Sequence, residues 1–387
     1  MLTHNVVGGV DIDCSLMKPS NAFPVADNNF TGSLFALRGG TTTILSTIHT
    51  EPNTSLVAAF NSWMIEAGNP DTGLRCDYAV CPTLPGFSLD VVDEMRSLVS
   101  DHGVACFSLD HLGPSVDYSS QCQFSSTAFL GGLSACRDLG ALACITASVS
   151  KIISDRISTR LINCYPKIGP EGHMLSRPER GECDCVSRAA LLACHASDKI
   201  CPLLIRRICS APALSTFSQL RCNGNLSSGL IFGMTTAPAL GSKLKCQGDR
   251  VLSFSSDWSS AAGCVSNPPI RIDPEVSQYL AAHLAAGDLS AVGSSHLAFS
   301  TIVKASLGRD DFRRLPEGIA AIGARLPVVW QTCVRSSGLL DPCSFVSVVS
   351  TNPARLANLY PRKGLISPGS DADLLVWNPE HTLDHGN

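Results

Sequence analysis

Four short patterns hold the side chains best suited to chemistry. Asp11-Ile12-Asp13 follows an apolar stretch and has the Asp-x-Asp spacing of phosphoryl-transfer enzymes, which use paired acids on a metal and a phosphoryl group. No partner lysine or second acidic pair accompanies it. Ser148-Val149-Ser150-Lys151 fits the Ser-x-x-Lys of acyl-transfer enzymes, but no Lys-Thr-Gly follows. Cys183, Cys185, Cys194 and His195 carry thiols and an imidazole that suit zinc. Cys-x-Cys on a helix points its thiols to different sides, however, and the chain has no Cys-x-x-Cys. His296 follows a predicted strand and could move a proton. With no electrophile or poised base beside it, it reads as a hydrogen-bonded pocket histidine. His49, His102, His111 and His173 share no spacing and read as surface or cap residues, and Glu171 and His173 as parts of a structural loop.

The elements that must position these groups alternate in type. Strand patterns run over 41–48, 76–80, 103–109, 141–147, 202–209, 230–234 and 290–294. Helical spacing covers 55–67, where Leu56, Ala59, Phe60 and Trp63 share a face, then 91–99, 129–137, 177–196 and 327–336. Ser176 is the expected N-cap of the 177–196 helix, with Pro178 in its first turn. The β-α-β-α order predicts a mostly parallel sheet with helices outside it, and the number of units fits a (β/α)₈ barrel. Residues 1–362 are assigned to that barrel and residues 363–387 to a separate short β segment.

Composition narrows the function. Of 387 residues, 44% are hydrophobic and 16% charged, the latter against roughly 25% in average domains. A net charge of −4 offers no attraction for nucleic acid or anionic membranes. No apolar run approaches the ~20 residues of a membrane span. The N-terminus lacks a basic region followed by an apolar one, so a cytoplasmic location is expected. The 18 cysteines are scattered through apolar stretches and read as reduced, buried thiols.

The most distinctive stretch is 352–379. There Asn352-Pro353-Ala354-Arg355-Leu356 leads through Pro361-Arg362-Lys363-Gly364 and Pro368-Gly369-Ser370-Asp371-Ala372-Asp373 to the apolar Leu374–Trp377. This ending resembles the junction between barrel and small β-domain in the dihydropyrimidinase and collapsin response mediator family. The resemblance extends over nearly the whole chain: Gly8-Gly9-Val10-Asp11, Lys18-Pro19-Ser20, Glu51-Pro52-Asn53-Thr54, Gly169–Glu179, Asp257-Trp258-Ser259, Pro268-Pro269, Gly308–Phe312 and Leu315-Pro316-Glu317-Gly318 follow in family order. It implies a (β/α)₈ barrel with the remnant of a small β-sandwich domain, whose last strand would lack its usual partners and leave an open edge. Relatives carry further residues at both ends, so the chain is expected to be a truncated, divergent member.

Active members of that family use two metals, held by a His-x-His pair, a carboxylated lysine, two further histidines and an aspartate. In this sequence Asp13 and Ser15 stand at the His-x-His positions, Ser108 at the lysine, Thr146 and Arg207 at the later histidines, and Ser295 at the aspartate. Hydroxyls are weak ligands and a guanidinium cannot coordinate. An arginine facing Asp13 is expected to form an ion pair. The resemblance therefore implies no metal, no cofactor and no catalytic residue, with Asp13, Ser15, Ser108, Thr146, Arg207, Ser295 and His296 as vestigial positions. Gly293-Ser294-Ser295-His296 is similar to the collapsin response mediator branch. That kinship implies a non-catalytic adaptor forming homo- or hetero-tetramers, with tubulin, other cytoskeletal and semaphorin-pathway proteins as partners. The alternative is a hydrolase of carbon–nitrogen bonds in cyclic amides.

Overall fold

A computed structural model of the protein describes residues 4–16, 24–50, 54–112, 126–195, 199–222, 228–241, 257–271, 273 and 275–380. The motif residues Lys18-Pro19-Ser20 and Glu51-Pro52-Asn53 lie outside them, as does the end of the 363–387 segment.

Ten strands are present among the described residues: β1 (His4–Val7), β2 (Gly9–Cys14), β3 (Thr41–Ile48), β4 (Asp77–Pro82), β5 (Cys106–Ser108), β6 (Leu142–Thr146), β7 (Leu203–Arg206), β8 (Ile231–Thr236), β9 (Ala291–Gly293) and β10 (Leu374–Trp377). β2 to β4 pair in parallel, as do β5 to β9. Single parallel bridges close the two seams, Thr83 to Ser108 between β4 and β5 and Cys14 to His296 between β2 and β9. Eight parallel strands thus form a closed barrel, which removes every edge between them. Helices follow from local signals. Asn28 and Thr31 make a reciprocal capping box, and the Ser55, Ser88 and Ser300 hydroxyls cap three more helices. Gly103, at φ 67°, ends the Leu89–His102 helix in the left-handed conformation that glycine adopts without strain.

Two layers of core result. Phe60, Trp63, Leu98, Phe107, Phe129, Leu133, Leu203 and Phe217 pack between strands and helices, whereas Val10, Ile12, Leu45, Cys81, Cys106, Cys144, Leu204 and Met234 fill the barrel interior. The described cysteines are free thiols and mostly buried.

Some expectations need correction. Ser176 does not cap the long helix: it ends the short Glu171–Leu175 helix, donating its hydroxyl to the His173 carbonyl at 2.9 Å, and the long helix begins at Glu179. The 327–336 helix is α over Arg325–Val329 and π over Trp330–Ser336. β10 is not without a partner. It pairs antiparallel with β1, His4 opposite Trp377 through Val7 opposite Leu374. The apolar run before Gly8 is short enough to be read as mere lead-in to β2, which hides the strand. The ribbon is fixed to the barrel by Trp377, whose ring lies 5.5 Å from that of Trp330 and 5.6 Å from that of Phe345.

Candidate active site at the barrel mouth

The C-terminal strand ends, where this architecture places its sites, bring the seven predicted positions to one end of the barrel. β2 delivers Asp13 and then Ser15; β5 ends in Ser108, β6 in Thr146 and β7 in Arg206, with Arg207 next; β9 leads into Ser295 and His296. Asp13, Ser108, Arg206 and His296 are almost wholly buried.

Two guanidiniums and two carboxylates dominate the polar centre. Arg207 grips Asp13 with both arms, Nε to Oδ2 at 2.7 Å and Nη2 to Oδ1 at 2.8 Å, while its Nη1 donates to the Asn267 carbonyl at 3.1 Å. Such a bidentate pair is a geometrically specific way to hold a carboxylate. Arg206 donates to Asp110 Oδ2 at 2.6 Å, to Ser108 Oγ at 3.0 Å and to Thr47 Oγ1 at 3.3 Å. Asp110 in turn accepts from the Thr146 backbone N–H at 2.6 Å and from the Thr146 and Ser108 hydroxyls at 3.2 and 2.9 Å. Burial pushes the Asp110 carboxyl upward, but Arg206 and the Thr146 N–H outweigh it and hold it below the usual range. Burial likewise opposes the charge on Arg207, and Asp13 reverses that, raising its pKa. Asp11, deeper in the barrel, goes the other way: burial lifts its pKa against the pull of Arg325.

The rest of the mouth is similarly committed. Ser15 Oγ lies 3.2 Å from His49 Nε2. His296 Nδ1 accepts from the Ala321 and Ile322 backbone N–H groups at 3.1 and 3.3 Å, which puts its proton on Nε2. That nitrogen sits 3.1 Å from Asp27 Oδ2 but out of line for a hydrogen bond. Arg207 and Ser295 both adopt left-handed backbone, at φ 60° and 53°, a conformation uncommon outside glycine. They border a cavity of about 10 Å³, room for one water.

The donor set does not fit a pair of divalent metals. Asp13 and Asp110 each have an arginine within 2.7 Å, and Ser108, Thr146 and Ser295 offer only hydroxyls. His49 and His296 stand at the rim with partners of their own.

Sequence reasoning missed Arg206, Asp110 and Thr47. The available signal was the doublet Arg206-Arg207 at the end of an otherwise apolar strand, which needs counter-charges wherever that strand is buried. Two histidines were misplaced. His49 lies in the mouth beside Ser15, and His173 is buried with Nε2 3.0 Å from Glu317 Oε1. The cysteine pattern stays dispersed: Cys185 is buried against the Thr146 carbonyl while Cys183 is half-exposed on another side of the same helix. Lys151 is exposed at a helix start.

Comparison with known proteins agrees with this architecture. Residues 276–385 match the amidohydrolase family. Dihydropyrimidinase of Rattus norvegicus is 33% identical over 97% of this chain and 67% of its own length. Dihydropyrimidinase-related protein 5 of Homo sapiens is 32% identical over 97% of this chain and 62% of its own length, so the chain spans about two thirds of these relatives. Among solved structures, D-hydantoinase from a Bacillus species superposes with a TM-score of 0.85 at 26% identity, over 97% of this chain and 76% of that one. Dihydropyrimidinase from Brevibacillus agri gives 0.83 at 25%, over 97% and 76%. No described helix is long and apolar enough to cross a membrane. The chain belongs to the dihydropyrimidinase family of amidohydrolase-type (β/α)₈ barrels.

Proposed function

We propose that this chain is a non-catalytic member of its family, similar to the collapsin response mediators, acting through binding to other proteins. One observation carries the reading: the bidentate Arg207–Asp13 ion pair lies across the mouth, between two positions where active relatives bind metal. A guanidinium there repels a cation and uses the carboxylate that would otherwise attract one. Ser108, Thr146 and Ser295 are vestigial positions in the same reading, and no cofactor is required. In the same reading residues 1–362 are the barrel unit, whose first strand β1 pairs with β10 of the short β segment 363–387. A cytoplasmic adaptor assembling into homo- or hetero-tetramers, with cytoskeletal (tubulin) and semaphorin-pathway partners, follows from the resemblance.

The alternative, a hydrolase of cyclic amides, is favoured by the likeness to rat dihydropyrimidinase and to solved hydantoinases. Elemental analysis of protein purified in added zinc separates the two. The adaptor reading expects no stoichiometric metal and no turnover of dihydrouracil, together with co-purification with a full-length dihydropyrimidinase-related protein. About two metals per chain with turnover would establish the hydrolase.

A further inference from the structure

The cavity beside Arg207 and Ser295 at the mouth is about 10 Å³, and a larger one lies at the other end of the barrel. A cavity of about 690 Å³ opens beneath the N-terminal ends of β5 to β9, within the range of small-molecule sites. Its roof consists of strand beginnings, with Ala105, Ala141 and Leu142 among them, and its floor is the 344–358 segment. This end of such a barrel ordinarily serves stability, and here it contains open space. Small residues stand where larger ones would close the gap: Ala105, Gly140, Ala141, Ala285 and Gly287. A second cavity of about 280 Å³ adjoins it, sharing Ala105 and Asn358.

The lining has a definite chemical character. Leu142, Phe232, Leu289, Val348 and Leu356 supply apolar walls. The hydroxyls of Ser344 and Ser347 lie on one side, and Asn352 ties floor to roof by donating Nδ2 to the Ser290 carbonyl at 2.9 Å. Among the described lining residues Arg355 is the sole ionisable one, and none of them is an acid. Its guanidinium lies over the Tyr360 ring, 4.6 Å from the centroid, which restricts its position. A pocket with apolar walls and one fixed cation selects a carboxylate on an apolar body. We propose that this N-terminal cavity is a binding site for a small apolar carboxylate, independent of the barrel mouth.

Phenylacetate is a suitable probe and phenylacetamide its uncharged counterpart. Both are titrated against the intact chain, with binding followed by ligand-observed NMR and by the melting temperature. Saturable binding of phenylacetate is expected, with affinity about tenfold weaker for the amide, since it lacks the charge-assisted contact. Arg355→Gln, at an exposed position, should abolish that preference while leaving the fold intact. Ser344→Trp, at a half-buried position on the floor, should fill the cavity and remove binding of both compounds. No saturable binding up to about 10 mM overturns the proposal. So does equal affinity for the two compounds, or binding that both substitutions leave unchanged.

Discussion

Removing Arg207 tests whether the mouth is held together by charge. Asp13 has no exposed surface, and after Arg207→Ala its nearest cation is Arg206, 3.9 Å away and already engaged by Asp110. Breaking a buried ion pair on one side typically costs ~3–5 kcal/mol. The Arg207 side chain is 22% exposed, so part of the attraction is screened and a loss of about 2–4 kcal/mol is expected. Arg207 also sits at φ 60°, so Arg207→Gly relieves backbone strain and should be about 1 kcal/mol less damaging than the alanine change. Asp13→Asn leaves the partly exposed guanidinium, which water can reach, and should cost less than Arg207→Ala. Combined with Arg207→Ala it should fall short of the sum of the single losses by about 1–3 kcal/mol, the coupling of groups in contact. Urea melts of the four proteins give each quantity. Additive losses, or a single loss below about 0.5 kcal/mol, would show that the pair neither holds the mouth shut nor stabilises it, and the argument against metal would lose its main support.

Other outcomes follow from the same geometry. Ser295→Asp should fold normally, because aspartate tolerates the left-handed backbone at φ 53°, yet the purified variant should take up no zinc while Arg207 remains; stoichiometric zinc would contradict this. Stability should fall as pH rises above about 9: burial raises Cys76 and Cys201 to about 12 and Cys209 to about 11 from the usual 9.0 of a thiol, so the folded chain retains protons that the unfolded chain releases. Lys304 acts in the opposite sense. Burial lowers it from 10.5 to about 8, so the unfolded chain binds the extra proton between those values and stability gains as pH climbs through them. Removing this gain in Lys304→Met should make the alkaline decline steeper, read from melts at pH 7 to 11. Trp377→Ala should cost about 2–3 kcal/mol through its lost contacts with Trp330 and Phe345 and speed amide exchange in β1; unchanged exchange there would refute the anchoring role.

Legibility in the sequence followed the length scale of each interaction. Thr41–Ile48 appears with the bounds expected of it, because β-branched residues after Gly39-Gly40 state their conformation locally. The Leu56–Ala67 helix does so too, since its apolar face and Ser55 cap lie within one stretch. The β1–β10 ribbon was not legible, since its register joins residues about 370 positions apart and each strand alone has only four residues. At the mouth, the alignment of motifs located Asp13, Ser15, Ser108, Thr146, Arg207, Ser295 and His296. It could not reveal Arg206 and Asp110, because their significance comes from meeting across β5, β6 and β7. A salt bridge spanning 96 residues, at 2.6 Å, leaves no local periodicity to read.

On the non-catalytic reading proposed above, the physical logic of the mouth differs from that of a metal centre. A metal site keeps its carboxylates free of cations, tolerates their mutual repulsion and lets the ion neutralise them. Here neutralisation comes from within the chain: Arg207 offsets Asp13, Arg206 offsets Asp110, and the Ser108 and Thr146 hydroxyls donate to Asp110. Once balanced in this way the strand ends behave as polar core, and polar core is stable only when it is fully partnered and dry. The non-catalytic reading proposed above requires no substrate access at the mouth. It places no corresponding demand on the opposite face, where Ala105, Gly140, Ala141 and Gly287 leave space and Arg355 leaves a charge without an internal counterpart in the lining. If this barrel holds a small molecule, electrostatics direct it to that face.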